Sequence, residues 1–197
     1  MFSAENIVVL GAGKSGVGAA VLAQKKGKNV FVSDASSITL EYKSILNNYD
    51  INWEENGHSD FILDKAESVI ISPGIPPSSP FVQKISSLGI PIISEIEFAY
   101  HYCNSKKICV TGSNGKTTTT LLITHLLNNA GLSAKAVGNV GESYAMSVAI
   151  DPPDYQVIEL SSFQLDFMFS FKADIALLLN ITPDHLDRHK NMNEYFK

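Results

Sequence analysis

The sequence predicts an α/β fold with parallel sheets, and three observations predict it. Short aliphatic runs alternate with helix-like stretches along the whole chain, glycines follow those stretches, and two of the runs open directly into glycine-rich loops. The runs are Ile7 to Leu10, Val30 to Ser33, Val69 to Ser72, Ile90 to Ile93, Ile108 to Thr111, Val157 to Leu160 and Ile175 to Asn180. Unbroken apolar runs this short are the pattern of strands buried on both faces. Gly16 to Lys26, Phe81 to Leu88 and Thr117 to Ala130 carry apolar residues at helical spacing, and Gly27, Gly89 and Gly131 suit their C-caps.

At about 150 residues per domain, a chain of 197 residues is more than one domain and less than two. The segment Glu95 to Lys107 (EIEFAYHYCNSKK) reads as helical and turns polar before the strand at Ile108. It divides the chain into a first domain at 1–98 and a second at 99–197. With 45% hydrophobic and 18% charged residues, a sizeable core can be buried, and disorder is excluded. A net charge of -5 argues against broad electrostatic binding to nucleic acid or to an anionic membrane surface, so an anionic ligand must be held by a local site. No apolar run approaches the roughly 18 to 20 residues that span a bilayer, and the amino-terminal residues lack the basic and apolar pattern of a secretory leader. The cytoplasm is the expected location. Cys103 and Cys109 form neither a CxxC pair nor a zinc pattern, and are expected to be reduced packing residues.

The first glycine loop follows the run Ile7 to Leu10. Gly11-Ala12-Gly13-Lys14-Ser15-Gly16 matches GxGxxG, opens a helix, and is followed by a strand that ends at Asp34. Glycines permit a tight turn, a helix N-terminus offers free N–H groups to a phosphate, and an acid ending the second strand can bond a ribose. NAD binding is the generic inference. Ser72-Pro73-Gly74-Ile75-Pro76-Pro77 lies where a parallel sheet presents ligands, at a strand's carboxyl end.

The second loop is more informative. Ile108 to Thr118 combines a strand, a glycine loop, Gly115-Lys116-Thr117 and a helix, the arrangement of a P-loop. Backbone N–H groups of Gly112 to Lys116 would wrap phosphate oxygens, Lys116 would neutralise the β- and γ-phosphates, and the Thr117 hydroxyl would reach Mg²⁺. The strict pattern requires glycine at position 110, where this chain has valine, so the loop is a variant. Downstream, Glu159 stands inside an apolar strand, where a carboxylate is costly unless it is paired or bound to a cation. A Mg²⁺ ligand and a lysine partner are the two readings. The last apolar run ends in Asn180-Ile181-Thr182-Pro183-Asp184-His185-Leu186-Asp187-Arg188-His189, which brings oxygen and imidazole groups to a strand's carboxyl end. His58, His101 and His125 carry no such context.

TGSNGKTT (Thr111 to Thr118), Gly138-Asn139-Val140-Gly141, the glutamate strand and NITPDHLDRH (Asn180 to His189) together closely resemble the Mur ligases, the ATP-dependent amide-forming enzymes of bacterial peptidoglycan synthesis. ELSSFQLD (Glu159 to Asp166), with GAGKSG and SPGIPP, is similar to the members that add D-glutamate. The resemblance implies a Rossmann-like first domain that binds the uridine diphosphate of UDP-N-acetylmuramoyl-L-alanine rather than NAD. Lys14, Ser15, Asp34, Ala35, Ser72 and Gly74 fall at its contact positions. It further implies that Gly112, Ser113, Asn114, Gly115, Lys116, Thr117 and Thr118 form the ATP loop of a P-loop ATPase-like central domain, with Thr117, Glu159 and His185 toward Mg²⁺. Asn139, His185 and Lys116 match the residues closest to the chemistry.

In the implied reaction, the ATP γ-phosphoryl group passes to the alanyl carboxylate, and the amine of D-glutamate attacks the acyl phosphate. Family members carry, shortly after the tyrosine matching Tyr195, a lysine that becomes carbamylated and binds a second Mg²⁺. Lys197 precedes that position and does not take its role. The chain therefore resembles an amino-terminal fragment, with the central domain truncated and the D-glutamate-binding C-terminal domain absent. It is expected to bind ligands and to be inactive alone. An NAD-dependent oxidoreductase, a non-catalytic nucleotide sensor and a sister ligase with another amino-acid acceptor are the competing readings.

Overall fold

The structure, a computed structural model, describes residues 2–183. Its first sheet is five-stranded and parallel, built from β1 (Asn6–Leu10), β2 (Asn29–Ser33), β3 (Asn52–Glu54), β4 (Ser68–Ile71) and β5 (Ile92–Ser94), in the order β3-β2-β1-β4-β5. The second is four-stranded and parallel, built from β6 (Lys106–Thr111), β7 (Ala134–Gly138), β8 (Tyr155–Glu159) and β9 (Ile175–Leu178), in the order β7-β8-β6-β9. In each sheet the strand that leads into a glycine loop, β1 or β6, is an interior one. Its carboxyl end is thus flanked by two neighbours, which is where open parallel sheets hold ligands.

Helices α1 (Lys14–Lys25), α2 (Leu40–Asn48), α3 (Pro80–Ser87), α4 (Glu95–Tyr100), α5 (Lys116–Asn129), α6 (Tyr144–Ile150) and α7 (Ser162–Leu165) connect the strands. Gly27, Gly89 and Gly131 sit just beyond α1, α3 and α5 with φ of 74°, 70° and 79°, the left-handed conformation that ends a helix at little cost in glycine. The helix predicted from Glu95 onward is shorter than its sequence pattern. It stops at Tyr100, and Lys106 and Lys107 already belong to β6, whose pairing with β8 begins at Lys106. A polar stretch on the edge of a helix gives way to strand because β8 supplies the hydrogen bonds.

One apolar core runs between the two sheets. Val9 and Val32 of the first sheet, Ala20 of α1, Phe98 of α4, Tyr144 of α6 and Ile158 of the second sheet belong to the same buried cluster. Helices α1 and α6 cross closely because α1 carries Gly18 at the crossing, where a Cβ would lie 1.9 Å from Ser143 Oγ. Two buried acids of α4 tie the halves further. Glu97 accepts the backbone N–H groups of Phe169 (3.0 Å), Ser170 (2.9 Å) and Phe171 (3.0 Å), and also the Ser170 hydroxyl. Burial alone would raise its pKa, but these donors outweigh burial and hold the carboxyl below its usual range. Glu95 accepts the Ala145 N–H at 2.6 Å through one oxygen, while its other oxygen is buried with no hydrogen-bond partner among the described residues, and burial, outweighing the Ala145 and Tyr144 N–H groups and the Lys14 charge, pushes this carboxyl up to about 7.

Cys109 is buried in β6, Cys103 is half-buried, and both are free; burial pushes the Cys109 thiol up to about 12, which suits a packing residue and not a reactive one. On the second sheet, edge strand β9 leaves Ile175 and Leu178 exposed, as α5 does Leu121, Leu122 and Leu126. Among the described residues no helix is long and apolar enough to cross a membrane.

Candidate functional site

The first glycine loop forms one wall of a cleft of about 330 Å³ lined by Gly11, Gly13, Lys14, Ser15, Asp34, Ser72, Pro73, Gly74 and Ile75. Five of the six residues predicted for the uridine diphosphate therefore share one cleft, and the sixth, Ala35, is exposed and does not line it. The loop is compact enough to demand its glycines. Gly11 has φ +88° and would place a Cβ 2.7 Å from Ser72 Oγ, and a Cβ on Gly16 would lie 1.8 Å from the Gly11 carbonyl. Ser72 donates its hydroxyl to that carbonyl at 3.2 Å, which joins the SPGIPP turn to the GAGKSG loop. The Asp34 carboxylate accepts the Ala12 N–H at 2.6 Å and the Ser36 N–H at 2.8 Å, so it braces the loop from the end of β2.

The second loop is built between β6 and α5. Gly112 (φ +133°) passes so near the next strand's end that a Cβ would meet the Asn180 carbonyl at 2.8 Å, and Gly115 (φ +86°) caps α5. Lys116 donates to the carbonyls of Gly112 (2.6 Å) and Ser113 (2.9 Å), so its ammonium lies folded over the loop. Those acceptors are neutral, whereas a phosphate oxygen would add the attraction of opposite charge to the hydrogen bond. Asn180 and Thr182 hold the loop from below: Asn114 N–H donates to Asn180 Oδ1 at 2.9 Å, Asn180 Nδ2 donates to the Asn114 carbonyl at 2.9 Å, and Thr182 N–H donates to Ser113 Oγ at 2.9 Å. Sequence reasoning placed these two residues among the oxygen groups at a strand's carboxyl end but did not give them the bracing of the glycine loop.

Glu159, at the carboxyl end of β8, is 1% exposed. Its partners are neutral, since Thr117 donates its hydroxyl to Oε2 at 2.8 Å and Asn139 donates Nδ2 to Oε1 at 2.8 Å. A lysine partner is not what holds it. Gly138 (φ +95°) brings the β7 turn against β8, with the Asn139 N–H donating to the Glu159 carbonyl at 3.0 Å. A buried carboxylate beside a hydroxyl is a hard-oxygen donor set that fits Mg²⁺. Among the described residues no three His, Cys, Asp or Glu side chains gather to hold a metal. Beyond Glu159, Ser161 and Gln164 cap α7 reciprocally, with the Ser161 N–H donating to Gln164 Oε1 at 2.9 Å. The structure thus brings together Thr117, Asn139 and Glu159, with Lys116 in the same loop. Asp184 and His185 lie outside the described residues.

The first cleft also touches the turn that carries Asn139. Lys14 of the first cleft donates Nζ to the carbonyls of Asn139 at 3.1 Å and Gly141 at 2.8 Å, in the turn after β7.

Residues 6–81 match the MurD N-terminal domain model and residues 110–197 the Mur ligase middle domain model. The UDP-N-acetylmuramoylalanine--D-glutamate ligase of Bacteroides fragilis is 56% identical over 185 residues, 94% of this chain and 42% of that protein. The enzyme of the same name from Porphyromonas gingivalis is 54% identical over 191 residues, 97% of this chain and 42% of that one. The chain thus spans less than half the length of these curated relatives. Among solved structures, the UDP-N-acetylmuramate:L-alanyl-gamma-D-glutamyl-meso-diaminopimelate ligase from Neisseria meningitides aligns with a TM-score of 0.63 at 24% identity, covering 95% of this chain and 64% of that one. UDP-N-acetylmuramate-alanine ligase MurC from Thermotoga maritima aligns with a TM-score of 0.61 at 21% identity, covering 96% and 45%. These two share the fold.

Proposed function

The chain belongs to the Mur ligase family, and on that premise we propose that it supplies the nucleotide-substrate domain (1–98) and part of the ATP-binding domain (99–197) of an ATP-dependent ligase joining D-glutamate to UDP-N-acetylmuramoyl-L-alanine. The observation that carries the reading is the set Thr117–Glu159–Asn139 at the mouth of the second glycine loop. A ligase that activates a carboxylate with ATP needs such a site, and an NAD-dependent oxidoreductase does not.

In this reading Lys14, Ser15, Asp34, Ala35, Ser72 and Gly74 receive the uridine diphosphate, whose phosphates meet the loop N–H groups at the start of α1. Gly112 to Thr118 cradle the ATP phosphates. Lys116 swings from its two loop carbonyls to the β- and γ-phosphates, and Thr117 and Glu159, with His185, hold Mg²⁺, which when bound neutralises charge where two anions must meet. An alanyl carboxylate oxygen attacks the γ-phosphorus and the bond to ADP breaks. The D-glutamate amine then attacks the acyl carbon, phosphate leaves, and the amine loses its proton. The chain's own work is positioning and charge neutralisation. The reading places the enzyme in the cytoplasm, where ATP is supplied.

The acceptor is tested by measuring ADP release by the full-length protein containing this chain, with UDP-N-acetylmuramoyl-L-alanine and one of D-glutamate, meso-diaminopimelate, L-lysine or L-alanine. D-glutamate is expected to be preferred by about 100-fold or more, the discrimination within reach of a polar acceptor site. A preference for another acceptor would make this a sister ligase.

A further inference from the structure

We infer that Lys14 couples the two ligand sites, so that a nucleoside diphosphate in the first cleft tightens the binding of Mg²⁺-nucleotide at the second loop. The inference rests on the functional reading above, which puts those ligands in those places, and goes beyond it by linking them. The path is a short run of hydrogen bonds. Lys14, a wall of the first cleft, donates to the Asn139 and Gly141 carbonyls; the Asn139 side chain donates to Glu159; and Thr117, next to the P-loop lysine, donates to the other Glu159 oxygen.

A lysine ammonium has three donors and no acceptor. Two are engaged by the turn carrying Asn139, which leaves the third for a phosphate oxygen in the cleft. Binding of that phosphate need not break either bond to the turn. It instead fixes an ammonium whose long, flexible stem would otherwise sample other rotamers, and the turn becomes ordered with it. The second ligand then meets Asn139 and Glu159 already placed and loses less conformational entropy on binding, which gives positive cooperativity. Coupling between sites is reciprocal, so the nucleotide must tighten the diphosphate by the same factor. This contact spans 125 and 127 positions of sequence.

The test is a pair of titrations on the full-length protein. Mg²⁺ with a non-hydrolysable ATP analogue is titrated with and without saturating UDP, and D-glutamate is omitted so that nothing turns over. The expected result is analogue binding at least about fivefold tighter with UDP present, the lower end of ordinary coupling energies. In Lys14→Met, which keeps the stem and removes charge and donors, that ratio should fall to one even with UDP raised to saturation. Lys14→Arg should restore part of it, which a merely structural role for the side chain would not require. Independent binding in the wild-type protein, or an unchanged ratio in Lys14→Met, would overturn the coupling while leaving the assignment of both ligands intact. Failure of UDP or of the analogue to bind at all would overturn the functional reading and the coupling together.

Discussion

Lys116→Ala is expected to abolish useful ATP binding at the second loop and leave UDP binding at the first cleft unchanged when UDP is titrated alone. The Lys116 ammonium lies over the loop on two carbonyls, which in the proposed function it leaves for the β- and γ-phosphates. A hydrogen bond to a charged group contributes about 1.5–3 kcal/mol, so losing even one such contact weakens nucleotide by roughly 10- to 100-fold. Turnover should fall further, on the order of 1,000-fold, because the same charge stabilises the phosphoryl group in transfer. Calorimetry of the variant with each nucleotide, and ADP release by the full-length protein, measure the two effects. Normal ATP affinity would remove Lys116 from the phosphate site.

The second large effect is expected at Glu159. Glu159→Gln keeps a similar volume and an acceptor for the Thr117 hydroxyl, and a flip of the Asn139 amide can accommodate the new donor. What it removes is a carboxylate that is 1% exposed and whose hydrogen-bond donors among the described residues, Thr117 and Asn139, are neutral. Such a charge is a cost to the fold in the absence of a cation, so the melting temperature should hold or rise. The Mg²⁺ dependence of nucleotide binding should instead weaken, by about tenfold or more for the loss of one charged contact. A variant that melts early and binds Mg²⁺-nucleotide normally would make Glu159 a structural residue.

These two residues were legible in the sequence because each breaks a local rule. A glutamate within Val157 to Leu160 contradicts an apolar strand, and a left-handed Gly115 followed by Lys116-Thr117 is an unusual helix start; in the proposed function a ligand answers both conflicts. The β1–GAGKSG–α1 unit was legible for the same reason, since its signals lie within a dozen residues. What escaped was non-local. Strand β3 is three residues long, and Trp53 and Glu54 find their place only by pairing with β2. Helix α6 is seven residues with an N-cap at Ser143, and it is held against α1 by a glycine more than a hundred positions away. The reach of Lys14 to the Asn139 turn, and the support of the P-loop by Asn180 and Thr182, are likewise properties of two sheets brought side by side. Sequence order contains no trace of which face meets which.

The central claim is that the GxGxxG cleft takes a uridine diphosphate although the motif by itself suggests a dinucleotide. Titration of this chain with UDP and, separately, with NADH tests it most directly. UDP should bind with a stoichiometry of one and an affinity at least about tenfold above that of NADH, equivalent to about 1.4 kcal/mol. NADH bound more tightly than UDP would contradict it.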